Sequence, residues 1–311
     1  MAQMRGVYSI PVTPFEENGA VDYDSLRRCV AFCVEAGAHG IVLPVNASEG
    51  PFLTDDERRA VVSVGVKAAD KALPFVAGVT GLTVQHALEN TAAAVEAGAD
   101  SVIAAPPNGA SGDYLFDYYG AVAEAAGVPV WIQNNKPPTS PTIPTPMIVK
   151  ILKEIEHADY VKEESLVPGQ VMTELFASAG KACKGIMGGM GGRFLIDEYH
   201  RGGCGTMPAG HITDAHRKLW DALEKGHRAP GGLQEITAEA RTIWEQMLPS
   251  LNFEFLYGVS AYKMTFYKRG IIKTTVARSP AAKKLDRHDA EELDTILDRL
   301  SPLFRHGKVK V

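Results

Sequence analysis

The sequence predicts an α/β fold of one particular kind, a (β/α)8 TIM barrel with a C-terminal helical extension. Three observations predict it. Eight short apolar runs rich in Val and Ile recur between residue 6 and about residue 225, each separated from the next by a longer amphipathic stretch. Those stretches open on polar or capping residues and close near glycine, as helices do. Eight such units in succession fit a closed parallel barrel ringed by helices better than an open doubly wound sheet.

The runs are GVYSIPVTPF (6–15), GIVLPV (40–45), PFVAGV (74–79), SVIAAP (101–106), PVWIQN (129–134), ADYVKE (158–163), CKGIMG (183–188) and GTMPAG (205–210). Between them lie helical patterns such as DYDSLRRCVAFCVEAG, TDDERRAVVSVGVKAAD and TVQHALENTAAAVEAGAD. The words EAGAHG and EAGADS, ahead of the second and fourth strands, read as a repeat in which glycine stops a helix and a short turn feeds the next strand. From residue 233 onward the strand runs cease, and LQEITAEARTIWEQMLPSLNF, GVSAYKMTFYKRG and RHDAEELDTILDRLSPLF read as three further helices. The stretch EKGHRAPGGLQ, with its Pro and paired Gly, divides a barrel over 1–228 from an extension over 229–311.

Composition excludes several classes of function. The chain has 311 residues, 45% hydrophobic and 22% charged, which suits one large core and rules out disordered and fibrous classes. A net charge of −5, with basic and acidic residues interspersed, offers no field for a phosphate backbone, so no nucleic-acid partner is expected. The opening MAQMRGVYSIPVTPF has no signal-peptide core, and no apolar run reaches the roughly 20 residues that span a bilayer. A cytoplasmic protein with no membrane partner is expected. Cys29, Cys33, Cys183 and Cys204 form no CxxC pair and stand in no zinc spacing. Cys29 and Cys33 share a helix face and read as small buried hydrophobes. Neither a metal nor an organic cofactor is implied.

In a barrel of this kind chemistry sits at the C-terminal ends of the strands and in the loops that follow. Lys162, in YVKEES, falls at the end of the sixth strand. Strand alternation puts Glu164 on its face and Val161 and Glu163 on the other. Desolvation at a barrel mouth favours the neutral amine, which can attack a ketone and form a Schiff base. The plainer alternative is a surface lysine paired with Glu163 or Glu164.

Five segments in order, PVTPFEENGAVDYDSL, NASEGPFLTDDER, PVWIQN, YVKEES and GGMGGRFL, resemble the dihydrodipicolinate synthase and N-acetylneuraminate lyase family of class I aldolases and dehydratases, over nearly the whole chain. The resemblance implies a lyase acting on a small-molecule 2-oxo acid, a homo-oligomer (a tetramer), and Lys162 as the Schiff-base lysine. Departures from the family pattern narrow it. Where the family's carboxylate loop reads Gly-Thr-Thr-Gly-Glu, this chain has Val45, Asn46, Ala47, Ser48 and Glu49. The strand-five tyrosine is Gln133, an amide that neither donates nor takes a proton near neutral pH. The tyrosine lent by a neighbouring subunit is missing, with Pro107 and Asn108 in its place, and QNNKPPTS lacks the arginine that dihydrodipicolinate synthase uses. These features resemble the sugar-acid members, such as the 2-keto-3-deoxy-L-arabonate dehydratases, although Asn134 stands where that group has aspartate.

The reaction expected from the resemblance is dehydration, or aldol cleavage, of a 2-keto-3-deoxy sugar acid. Lys162 condenses with the C2 ketone, Asn46, Ala47 and Ser48 hold the carboxylate, and Glu164 serves as base and later as acid, its pKa raised by burial against the opposing pull of Lys162. Gln133 completes the catalytic set, and Thr13, Gly189, Met190 and Met207 are expected to wall the pocket. Two other readings stand beside it, a hydratase-aldolase or pyruvate aldolase of other substrate range and a non-catalytic small-molecule-binding barrel. Glu49 reads as a structural brace for the second loop. His211 reads as a solvated helix-start residue, and Arg193 as a partner of a substrate hydroxyl or an acidic neighbour.

Overall fold

A computed structural model describes residues 4–137, 139–227 and 233–305. Eight parallel strands close on themselves: β1 (Gly6–Ser9), β2 (Gly40–Leu43), β3 (Phe75–Gly78), β4 (Ser101–Ala104), β5 (Val130–Asn134), β6 (Ala158–Glu163), β7 (Gly185–Gly188) and β8 (Gly205–Thr206). Each is followed by its helix: α1 (Tyr23–Glu35), α2 (Asp55–Ala69), α3 (Val84–Ala97), α4 (Asp113–Ala126), α5 (Thr145–Glu154), α6 (Pro168–Ala179), α7 (Leu195–His200) and α8 (Thr213–Leu223). Three more helices, α9 (Ala238–Tyr257), α10 (Val259–Lys268) and α11 (Arg287–Leu300), form the extension. The barrel with its helical ring is therefore the fold the sequence predicts. The division between 228 and 229 falls outside the described residues.

Two boundaries differ from the sequence pattern, each for a local reason. The first apolar run extends to residue 15, yet the ladder of β1 ends at Ser9, because Pro11 and Pro14 have no N–H to donate to a neighbour. The first extension helix begins at Ala238 rather than 233, where Thr237 caps it by accepting from the Ala240 N–H.

The barrel interior is filled by alternate residues of the strands. Tyr8, Trp131 and Tyr160 form an aromatic plug, with Trp131 stacked on Tyr160 at 4.4 Å between ring centroids. Two residues further along β5 and β6, the same inward face carries Gln133 and Lys162. The plug thus forms a floor, and the polar residues stand above it at the C-terminal mouth.

The contacts that bind the extension to the barrel include one apolar seam on the side and one charged tie at the mouth. On the side, Met247 and Leu251 of α9 join Leu219, Trp220 and Tyr199 in one apolar cluster. At the mouth, Glu49 of the loop after β2 is fully buried and points into the extension. Its Oε1 accepts the N–H groups of Arg278 and Ser279, each at 2.7 Å, and its Oε2 pairs with the buried ammonium of Lys263. Glu49 is therefore the brace the sequence suggested, and its partners lie more than 200 residues away. Arg278 continues the tie, donating to Glu57 at 2.6 and 2.7 Å and to the Gly19 carbonyl.

Breaking a buried ion pair from one side costs about 3–5 kcal/mol, since it leaves a charge without a partner. Glu49→Ala leaves the Lys263 ammonium with the Val276 carbonyl but no counter-charge and strands two amide donors, whereas Lys263→Met leaves the carboxylate still held by two N–H groups. In urea denaturation Glu49→Ala is expected to lose about 3–5 kcal/mol and Lys263→Met distinctly less. Equal losses would mean that the Arg278 and Ser279 amides carry no weight.

Candidate active site

The site is built on the pairing of β5, β6 and β7. Register places Gln133, Lys162 and Met187 side by side across the three strands. Although β6 ends at Glu163, the Glu164 N–H still donates to the Asn134 carbonyl at 2.7 Å, so Glu164 continues the alternation and faces Lys162. The Lys162 Nζ lies 3.0 Å from Glu164 Oε2, and Lys162 is only 3% exposed. Lys162 is thus neither a surface lysine nor a partner of Glu163. That neighbour points the other way, accepting from Asn134 Nδ2 and the Ser165 N–H at 2.8 Å each.

Both oxygens of Glu164 are committed. Oε2 also accepts from Gln133 Nε2 at 3.0 Å, and Oε1 accepts from the Met190 N–H at 3.0 Å. Burial pushes this carboxyl up, but the Lys162 ammonium and the two hydrogen bonds push further the other way, so it titrates below the ordinary 4.5. The sequence expectation of a raised pKa is therefore corrected: of the two opposing effects it named, the ammonium prevails. Glu163, which lacks a cation, is raised by its burial.

The loop after β7 explains why Glu164 fits. A Cβ on Gly189 would lie 2.0 Å from Glu164 Oε1, so only glycine leaves room for the carboxylate. Met190 then takes a left-handed conformation, φ 48°, and its N–H turns toward Glu164. Non-glycine residues held in this region are commonly found where a site demands them.

Above Lys162 and Glu164 lies a cavity of about 270 Å³, lined also by Asn46, Ala47, Asn135, Lys136, Met190, Met207 and, from the extension, Gly258, Val259 and Tyr262. Asn46, Ala47, Met190 and Met207 are thus where the sequence put them. Thr13 and Ser48 are not among the lining residues. Their hydroxyls are spent inside the protein, Thr13 donating to the Ser48 carbonyl at 2.7 Å and Ser48 closing its own turn with Val45. These two shape the loop instead of lining the cavity. Gln133 reaches a neighbouring cavity of about 230 Å³ that shares Asn46 and Thr139 with the first and is walled by Asn108 and the buried Arg58.

One further reading is corrected. His211 is not solvated: it is 2% exposed, its Nε2 lies 3.2 Å from Glu254 Oε2, and burial pushes its pKa down to about 3. Arg193 does not line the cavity: it donates to the Leu251 carbonyl at 2.6 Å, covers the Phe255 ring and has Glu254 as its acidic neighbour. Asn135 and Lys136 lie in the loop after β5, whose position at a strand end marks it as a candidate, whereas sequence reasoning missed Val259 and Tyr262, which sit in an amphipathic helix pattern that gives no such signal. Among the described residues no group of three or more His, Cys, Asp or Glu side chains could hold a metal ion. No helix among them is long and apolar enough to cross a membrane.

A family sequence model described as the dihydrodipicolinate synthetase family matches residues 3–300. Over 305 residues the chain is 27% identical to the L-2-keto-3-deoxyarabonate dehydratase of Azospirillum brasilense, a match covering 96% of this chain and 95% of that one. It is 29% identical over 221 residues to the 4-hydroxy-tetrahydrodipicolinate synthase of Chlorobaculum parvum, covering 70% and 73%. Among solved structures, the dihydrodipicolinate synthase from Rhodopseudomonas palustris superposes with a TM-score of 0.85 at 25% identity, over 96% of this chain and 98% of that one.

The charge balance at Glu164 has a measurable sign. Its folded pKa lies below the ordinary value, so it stabilises the native state above about pH 4.5, and that contribution fades as the pH falls through the lower folded value. In Lys162→Met the opposing cation is gone and burial acts with little resistance. A 13C NMR titration of the Glu164 carboxyl is expected to move from below 4.5 in the parent to above it in the variant. A carboxyl that stays low in Lys162→Met would show that the hydrogen bonds, not the ammonium, set its charge.

Proposed function

The chain belongs to the dihydrodipicolinate synthetase family, whose members are lyases, and we propose that within it this protein is a Schiff-base-forming dehydratase of a 2-keto-3-deoxy sugar acid. The observation that carries this reading is the Glu164 carboxylate, held 3.0 Å from the Lys162 ammonium and fixed there by Gln133. It supplies, within reach of an imine on Lys162, a proton acceptor that Gln133 cannot be. The full-length similarity to a 2-keto-3-deoxyarabonate dehydratase supports the substrate class.

A proton passing from Lys162 to Glu164 gives an amine and a carboxylic acid. The amine adds to the C2 ketone of a substrate whose carboxylate rests against Asn46 and Ala47, and Glu164 returns the proton to the departing oxygen, which leaves as water. The resulting iminium cation acidifies the C3 hydrogens. Glu164, again a carboxylate, takes one of them, and the electron pair moves through C2 to nitrogen to form a neutral enamine. At that moment the cation that kept Glu164 ionised has vanished, and burial now favours its protonated form. The carboxyl that gave its proton to the departing carbinolamine oxygen is thus the base at C3, and it keeps that proton through a change of charge on its neighbour. The enamine pair then expels the C4 hydroxyl as hydroxide, which is protonated to water, and hydrolysis of the conjugated iminium frees Lys162.

The same reading includes a homotetramer, which the family resemblance carries with it, and a reducing cytoplasm, which suits four cysteines that are all buried and free.

Borohydride reduction in the presence of pyruvate, followed by peptide mass spectrometry, is expected to leave an adduct on Lys162 and none in Lys162→Ala. With a panel of 2-keto-3-deoxy sugar acids, water loss in the parent should accompany the adduct. No adduct with any 2-oxo acid would remove the imine from the reading altogether. Gly189→Ala should trap pyruvate more slowly and lose dehydration by about 10²-fold or more, since a Cβ there displaces the Glu164 carboxylate. Dehydration in Gly189→Ala at the parent rate would mean that Glu164 is not the base.

A further inference from the structure

The elimination just described leaves one proton without a source. Hydroxide is a poor leaving group, and an acid positioned at the C4 hydroxyl is worth about 10²–10⁴ in rate. Glu164 is badly placed to be that acid as well as the C3 base. Its Oε1 is held by the Met190 N–H and its Oε2 by Gln133 and Lys162, so the carboxyl is fixed beside the imine nitrogen. With the substrate carboxylate at Asn46 and Ala47 and C2 on Lys162, C4 lies a further two bonds along, within a cavity that the extension helps to line.

Among the described residues one phenol lines that cavity. Tyr262, on α10, stands there with Lys162, Glu164, Met190 and Gly191. It is partly exposed, and among the described residues its hydroxyl makes no hydrogen bond to the protein. Its ring is not free to wander. It packs on the buried imidazole of His211 at 5.0 Å between centroids. His211 in turn stands 3.2 Å from the buried Glu254, which lies so close behind Gly191 that a Cβ there would fall 1.9 Å from its Oε1. Burial and the nearby Glu254 and Glu164 push the phenol above its ordinary range, so it carries its proton at any working pH. A phenol is nonetheless a stronger acid than the water that forms when it protonates hydroxide.

We propose that Tyr262, supplied by the C-terminal extension, is the acid that protonates the departing C4 hydroxyl, with the His211–Glu254 pair as the positioning group behind its ring. The inference rests on the dehydratase reading. In the step, the enamine electrons form the C3–C4 double bond, the C4–O bond breaks, and the phenolic proton passes to the leaving oxygen to give water. The phenolate recovers a proton from solvent.

Tyr262→Phe tests it, because the early and late steps can be read separately. In the variant, borohydride trapping of pyruvate on Lys162 and exchange of the pyruvate methyl protons in D2O are expected to stay within about threefold of the parent, while kcat for dehydrating 2-keto-3-deoxy-L-arabonate falls about 10²–10⁴-fold. The 4-deoxy-4-fluoro analogue adds a rescue, since fluoride departs without a proton: Tyr262→Phe should eliminate fluoride at nearly the parent rate. Dehydration at the parent rate, or equal losses in exchange, water loss and fluoride loss, would overturn the assignment. A parent that traps pyruvate yet dehydrates no 2-keto-3-deoxy sugar acid would instead sink the dehydratase reading, and this inference with it.

Discussion

A carboxylate in the dry interior, Glu49, decides how the mouth of this barrel is built. It is wholly buried, so its charge must be answered within the protein, and the answer comes from Lys263 and from the N–H groups of Arg278 and Ser279. Glu49 itself sits in a left-handed turn, φ 57°, which directs the preceding Asn46 and Ala47 to the cavity. One residue thus fixes two things, the shape of the loop after β2 and the seat of α10 above it. The remaining wall of the cavity follows from that seat, since Gly258, Val259 and Tyr262 are carried by the same helix or its edge.

Charge is handled differently a few residues away. At Glu49 the partners are permanent. At Glu164 the partners are the ammonium of Lys162 and the hydrogen bonds from Gln133 and Met190, and under the proposed chemistry only the hydrogen bonds would persist once the ammonium has become an imine. The amide of Gln133 is well suited to that duty: it steadies the carboxylate in either protonation state without competing for the proton. Under the proposed reading, the missing strand-five tyrosine is a transfer of acid–base work to a neighbouring carboxylate.

Most of the fold was legible in the sequence because its signals are local. The eight apolar runs coincide with eight strands, and the capping threonines at Thr54 and Thr83 stand where α2 and α3 begin. Alternation along a strand was enough to put Glu164 on the face of Lys162. What stayed hidden depends on long-range packing. Nothing in HITDAH distinguishes a solvated histidine from one buried against Glu254, and nothing near Ser48 says that its hydroxyl turns back on Val45. Tyr262 lay in an ordinary amphipathic pattern, and only the closure of the extension over the mouth brings it beside Lys162. The direction of the Glu164 shift was likewise a contest between burial and an ion pair, settled by distance rather than by residue type.

The wall supplied by α10 also bears on how such a chain comes into being. Lys162 and Glu164 emerge from the ribosome a hundred residues before Tyr262, and the Glu49 loop earlier still, more than two hundred residues before Lys263 closes on it. All eight strands are therefore synthesised before the roof over the lysine. Under the proposed chemistry the amine would meet passing 2-oxo acids early, but the elimination would wait for α10, so that an incomplete chain could form an imine without carrying the reaction through.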